Sequence, residues 1–189
     1  MEEAMDFEIC GMDVYQLAVC FMIYGILGWL VESIYMSFCE KRIVNRCFGK
    51  GPFCPIYSVG ALVGVIIFTP IKDNYVLLYL AGSIGASFFE FLVGIAMIYF
   101  LGELWWDYNN KPFQYKGILC LESTLAWGFY AIGVVCYGHV WILNFVKSLD
   151  KRVGFAFVAL VLLLWIVDYT IQIRKVTRNN KVENQVQQI

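Results

Sequence analysis

Five stretches of this chain, 14–37, 53–70, 75–101, 117–145 and 153–173, are apolar and almost free of charge. A segment of about 20 such residues crosses a hydrocarbon layer, and in lipid only helices or closed barrels satisfy their own backbone N–H and C=O groups. The expected fold is therefore all-α, a polytopic membrane helix bundle of about five transmembrane helices. It forms one domain, 14–173, between an extracytoplasmic segment, 1–13, and a cytoplasmic polar tail, 174–189. The second stretch is short and is interrupted near its start by Pro55. Composition agrees: only 15% of residues are charged and the mean hydropathy is +0.67, whereas a soluble domain carries about 25% charged residues.

Charge sets the orientation. Lys41, Arg42, Arg46 and Lys50 lie in the first loop, Lys111 and Lys116 in the third, and Arg174, Lys175, Arg178 and Lys181 in the tail, so one side collects ten of the fourteen basic residues. Cytoplasmic loops carry that excess, which predicts N-terminus out and C-terminus in, as a multi-pass protein of the cell membrane. The first residues are acidic (Glu2, Glu3, Asp6, Glu8). That does not fit a cleavable leader, so the first helix is expected to be retained. The basic residues bear on orientation and give no reason to expect nucleic acid. The tail after Arg174 reads as frayed.

Seven cysteines, an odd number without a CxxC pair, fall mostly in or beside apolar segments and read as small buried hydrophobes, not disulfides or a metal cluster. No metal and no cofactor is expected. Gly60 with Gly64, and Ala81, Gly82, Gly85 and Ala86, form small-residue patterns that let helices approach. Trp105, Trp106 and Trp141 sit at span ends, as interfacial aromatics do, and His139, near the outer end of the fourth span, reads as an interfacial histidine.

The residues most informative about function are acids in an apolar solvent: Glu32, Glu90, Glu122 and Asp168. An ionised residue at a helix centre costs about 2.5–3.5 kcal/mol on insertion scales, so these groups must be paired, protonated or wetted. At about 1.5 Å per residue, Glu32, Glu122 and Asp168 lie roughly 7–10 Å from the cytoplasmic ends of their spans and Glu90 roughly 16 Å, all in one leaflet. Helical spacing places Glu32 with Gly25 and Gly28, Glu90 with Ala86 and Gly94, and Glu122 with Ala126 and Gly133. The expectation is three inward carboxylates lining a cytoplasmic cavity, with Arg46 and Lys50 as the nearest counter-charges. Asp168, closer to the interface, is expected to pair with Arg174 or meet headgroups.

The first loop runs Asn45-Arg46-Cys47-Phe48-Gly49-Lys50-Gly51-Pro52-Phe53-Cys54-Pro55-Ile56-Tyr57 and follows Gly28-Trp29-Leu30-Val31-Glu32. This resembles the ABC-transporter type IV family of small bacterial membrane proteins, whose pattern reads GW-x-x-E and then NRG-F-x-x-GP-x-CPIYG. Glu90, Trp106-Asp107-Tyr108 and Trp127-Gly128 fit as well. Cys47 stands where the family has Gly, and Ser58 where Gly follows the Tyr. By position the resemblance implies Glu32, Asn45, Arg46, Tyr57, Glu90, Trp106 and Asp107 as substrate- or ion-binding candidates, joined by Glu122 from its depth. Gly51, Pro52, Cys54 and Pro55 shape the loop.

No Walker A motif occurs: Gly49-Lys50-Gly51 has Val44 where the upstream glycine belongs. No serine elbow, HExxH or dinucleotide fingerprint appears either, so no catalytic residue is assigned. The resemblance implies a transport-related, permease-like subunit in the lipid bilayer, with any ATPase a separate chain and a homo-oligomer expected from so thin a bundle. The alternatives are an intramembrane enzyme acting on a lipid-linked substrate, with Glu32, Glu90 or Asp107 as base, and a non-catalytic assembly or regulatory factor. The orientation is checked by fusions after Ile189: a fluorescent protein that folds only in the cytoplasm should glow, and an alkaline phosphatase should be inactive, the reverse result inverting the topology.

Overall fold

The computed structural model describes residues 11–45 and 47–186, with side chains to Arg178. All regular elements among the described residues are helices. Helix α1 spans Val14–Glu40. Its start is fixed by a capping box, in which Asp13 Oδ1 accepts from Gln16 N at 2.7 Å and Asp13 N donates back to Gln16 Oε1 at 3.2 Å. Helix α2, Pro55–Phe68, begins on its proline, which fits a first helical position because its missing N–H has no partner there. A 3-10 turn, Thr69–Ile71, ends it. Helix α3, Tyr75–Leu101, is capped by Asn74 and stops at Gly102, whose φ of 77° few other residues adopt.

Helices α4, Leu121–Ile132, and α5, His139–Ser148, are joined without a break by a π-helical segment, Gly133–Gly138, and make one rod. Helix α6 runs Lys151–Val186. Four helices are thus long and apolar enough to cross a membrane: α1, α3, the α4–α5 rod, and α6 through Arg178. The fifth apolar helix, Pro55–Ile71, is shorter.

Two boundaries depart most from the sequence reading, the other helix ends agreeing with it to within three residues. The fourth helix begins at Leu121, four residues late, because Gly117 turns with φ 67° and Tyr115 bridges to Leu119 before Cys120 caps the helix. The tail, expected to fray, continues α6 to Val186; no Gly or Pro interrupts residues 155–186, so nothing local stops the helix.

The apolar core sits at the end of the bundle where α1 begins. Met12, Tyr15, Val19, Cys20 and Tyr24 of the first segment meet Ala61 and Val65 of α2, Leu78 of α3, Ala131 and Val135 of the rod, and Val146 of α5. His139 lies in this region, buried, with its Nδ1 2.8 Å from the Tyr24 hydroxyl. It is therefore not an interfacial histidine: the π segment turns it inward onto α1. The outward faces carry large apolar side chains, such as Leu160, Leu163, Leu164 and Ile166 on α6, as lipid contact requires.

At the other end, α1 and α2 approach closely. A Cβ on Gly28 would land on the Tyr57 side chain, and one on Gly25 on Phe53 and Ser58. The bare backbone also leaves the Gly25 carbonyl open to accept from Cys54 N at 3.0 Å. The small-residue face of α1 thus seats the start of α2. Gly133, by contrast, faces nothing within 4 Å. Gly28→Leu should therefore displace α2 and lower the thermal midpoint in detergent by an amount equivalent to about 1–3 kcal/mol, while Gly133→Ala should leave it unchanged or raised; equal midpoints would refute the packing argument.

Candidate functional site

The site grows from the end of the bundle opposite the core. Glu90, just past the middle of α3, is 4% exposed. Its carboxylate accepts from Trp127 Nε1 at 3.0 Å, from the Tyr108 hydroxyl at 3.1 Å and from the Ser123 hydroxyl at 3.4 Å. Among the described residues no basic side chain forms an ion pair with it. Three neutral donors therefore supply the hydrogen bonds that water would otherwise give. Glu32 on α1 accepts a hydrogen bond from the Tyr57 hydroxyl, which the Gly28 contact brings within reach. Glu32, Tyr57, Glu90, Trp106, Tyr108 and Trp127 line one cavity of ≈ 60 Å³, with Cys47, Cys54, Ile56 and Trp105 completing its wall.

The loop between α3 and α4 closes one side. Trp106 Nε1 donates to the Ile118 carbonyl at 2.8 Å and Tyr108 N to the Gly117 carbonyl at 3.0 Å, so the loop folds back on itself and turns Tyr108 down onto Glu90. Burial, reinforced by the charges of Glu90 and Glu32, holds the Tyr108 hydroxyl well above the ordinary phenol range. It stays protonated and remains a donor.

The loop between α1 and α2 closes the other side. Asn45 Oδ1 accepts from Trp29 Nε1 at 2.7 Å, and its Nδ2 donates to the Lys50 carbonyl at 2.7 Å. Asn45 therefore pins the loop and does not reach the acids. Gly51 N donates to Asp168 Oδ2 at 3.0 Å. That corrects the expectation that Asp168 pairs with Arg174: the aspartate holds loop backbone, tying α6 to the bundle. Phe48 stacks on Trp105 at 4.5 Å and meets Tyr169 edge-on.

Cys47 and Cys54 form a disulfide across this loop, their Cα atoms 5.9 Å apart. The reading of all seven cysteines as isolated hydrophobes fails for this pair, because the turn at Gly51-Pro52 folds them together. Cys47 has φ 148°, a backbone that glycine adopts most easily, at the position where the resembled family carries glycine. Arg46 lies outside the described residues.

Two candidates stand apart from the cavity. Glu122 is at the rim, half-exposed, accepting from the Tyr35 hydroxyl at 2.7 Å and paired with Lys111 at 2.7 Å. The hydrogen bond to Glu122 raises the Lys111 ammonium above its usual range. The inward face of α4 is one residue further on, Ser123, Trp127 and Gly128, because Gly128 and Ala131 pack against Ser83 and Gly82 of α3 and fix the rotation of the helix. Asp107 is exposed and accepts from Asn109 N at 2.8 Å and Nδ2 at 2.7 Å, capping its own turn. Sequence reasoning missed Ser123 and Trp127 as partners of Glu90, although a serine and a tryptophan four residues apart on one face of an apolar helix signal a polar stripe.

Four long apolar helices, a shorter fifth and two acids in a shared cavity define a multi-pass helical membrane protein. The family described as "Putative ABC-transporter type IV" matches residues 19–173, and the chain belongs to it. It is thus a transport-related membrane protein. Neither the curated proteins nor the solved structures contain a match to the chain.

Removing the Glu90 carboxylate takes the acceptor from the part-buried Trp127 and Tyr108 donors, at about 1–3 kcal/mol for each left unsatisfied, while Ser123 keeps the Cys120 carbonyl at 3.0 Å. Glu90→Leu should therefore lower the unfolding midpoint in detergent steeply. Glu122→Ala, which breaks an exposed pair worth under about 1 kcal/mol, should barely move it. A larger effect at Glu122 would overturn this ranking.

Proposed function

We propose that the chain is a permease-like subunit of a transport system in the cell membrane, and that Glu32 and Glu90 receive a substrate or ion in the cavity they share. The observation that carries this reading is the buried Glu90 carboxylate, held by Trp127, Tyr108 and Ser123 with no ion-paired base among the described residues, beside a second acid from another helix. Neutral donors fix the carboxylate in place, and among the described residues no base is ion-paired with it, so an entering cation or proton finds a preorganised partner. Asp107, occupied with Asn109, gives the enzyme alternative one fewer candidate base.

Under this reading the ATPase of an ATP-driven system is a separate chain, consistent with the missing Walker A motif. The loops that carry Lys41, Arg42 and Lys111 would meet it on the cytoplasmic side, and further copies of the chain would widen the pathway.

The test replaces Glu32 and Glu90 by glutamine one at a time. Gln keeps the shape and one acceptor, so both variants should elute as monodisperse protein with native tryptophan fluorescence. Uptake or efflux by cells lacking the native copy should fall at least tenfold, and an ATPase should copurify from membranes with wild type and variants alike. Wild-type transport in both folded variants would sink the proposal, as would a bundle that unfolds in both cases, since the acids would then serve the fold alone.

A further inference from the structure

Next to the acid-lined cavity lies a larger one of ≈ 120 Å³, bounded by α2, α3 and the α4–π rod. Ile56, Tyr57, Glu90 and Trp127 line both, so the two share a wall that includes Glu90. The larger space is apolar. Gly60 and Gly64 on α2 and Gly85 and Ala86 on α3, the small residues expected to bring helices together, instead border an open groove walled by Phe68 and Phe89. Gly82 makes the closest contact, against Ala131, and a Cβ on Gly85 would stand 3.1 Å from the Phe68 ring. Val63 and Ile67, on the rim, are 43% and 59% exposed on the lipid-facing surface, which makes the groove open sideways. From Gly82 to Glu90 it follows two turns of α3, about 12 Å at 1.5 Å per residue.

A groove with a lipid-side opening, an apolar bore and one buried carboxylate at its inner end is matched by one ligand shape. We propose that it binds a single-chain amphiphile with a cationic, hydrogen-bonding head, an alkylammonium, whose tail fills the groove and whose head meets Glu90. This deepens the proposed function and rests on its reading of the acid-lined cavity as the substrate site. Charge decides the head: a cation beside Glu90 gains an attraction strengthened by the low dielectric, while an anionic head is repelled by it. Apolar lining decides the tail, because a wholly polar solute in the groove would lose its hydration without replacement hydrogen bonds. Trp127 donates to the carboxylate from the groove side, so a bound head alters the surroundings of its indole.

The experiment uses the full chain in nanodiscs of zwitterionic lipid and follows the quenching of tryptophan fluorescence by dodecylammonium, dodecyl sulfate and tetramethylammonium. Dodecylammonium should bind saturably and more than tenfold tighter than either of the other two. Gly60→Leu and Gly64→Phe each put bulk into the groove, and a Cβ at these positions stands in ordinary van der Waals contact, 3.5 Å from Phe89 and 3.7 Å from Phe68. Both should fold and lose binding, and Glu90→Gln should weaken binding at least tenfold. Equal binding of dodecyl sulfate, or full binding in both groove-filling variants, overturns the proposal. If dodecylammonium fails to bind while Glu90→Gln still abolishes transport, the amphiphile inference falls and the proposed function stands. If Glu90→Gln affects neither, both fall.

Discussion

A carboxylate inside a helix bundle imposes a demand on everything around it, because each of its oxygens needs a donor that lipid does not offer. Glu90 meets that demand with three groups from two parts of the chain. Ser123 and Trp127 come from α4, which fixes the rotation of that helix against α3. Tyr108 comes from the connection between them, which must fold back into the bundle to reach it. The turn at Gly117, the Trp106 bond to Ile118 and the close α3–α4 packing can be understood as the conditions under which this one acid is tolerated.

The opposite wall of the site has a different basis. The loop 41–54 is held by backbone-directed bonds: Asn45 to Lys50, Asp168 to Gly51, and Gly25 to Cys54. Side chains that look ready for a ligand are occupied in making the loop rigid. The Cys47–Cys54 pair adds a covalent closure of seven residues' separation.

Much of the fold was legible because lipid leaves so few options: apolar length alone located the helices, and Tyr75–Leu101 matches its predicted stretch to the residue. That Glu32 and Glu90 share a cavity also followed from depth and small-residue spacing. The rest depended on contacts distant in sequence. Glu122 was assigned to the inward face from its own stripe, but the rotation of α4 is set by Gly128 and Ala131 against α3, which spacing within one helix cannot reveal. Asp168 sits 117 residues from the glycine it binds. The groove was hidden for another reason, since small residues permit close packing without enforcing it. Gly60 and Gly64 border the groove with only a phenylalanine ring near each, Phe89 and Phe68, and no close helix backbone.

The π segment at Gly133–Gly138 divides the labour of the rod in which it lies. Below it, α4 presents Gly128 and Ala131 to α3; above it, α5 presents His139 to Tyr24 of α1. A regular helix keeps a single phase along its length, so a face aimed at one neighbour stays aimed there. One widened turn resets that phase and lets an unbroken span lean on two different partners in the two leaflets, with Val134 and Val135 at the reset bordering the groove.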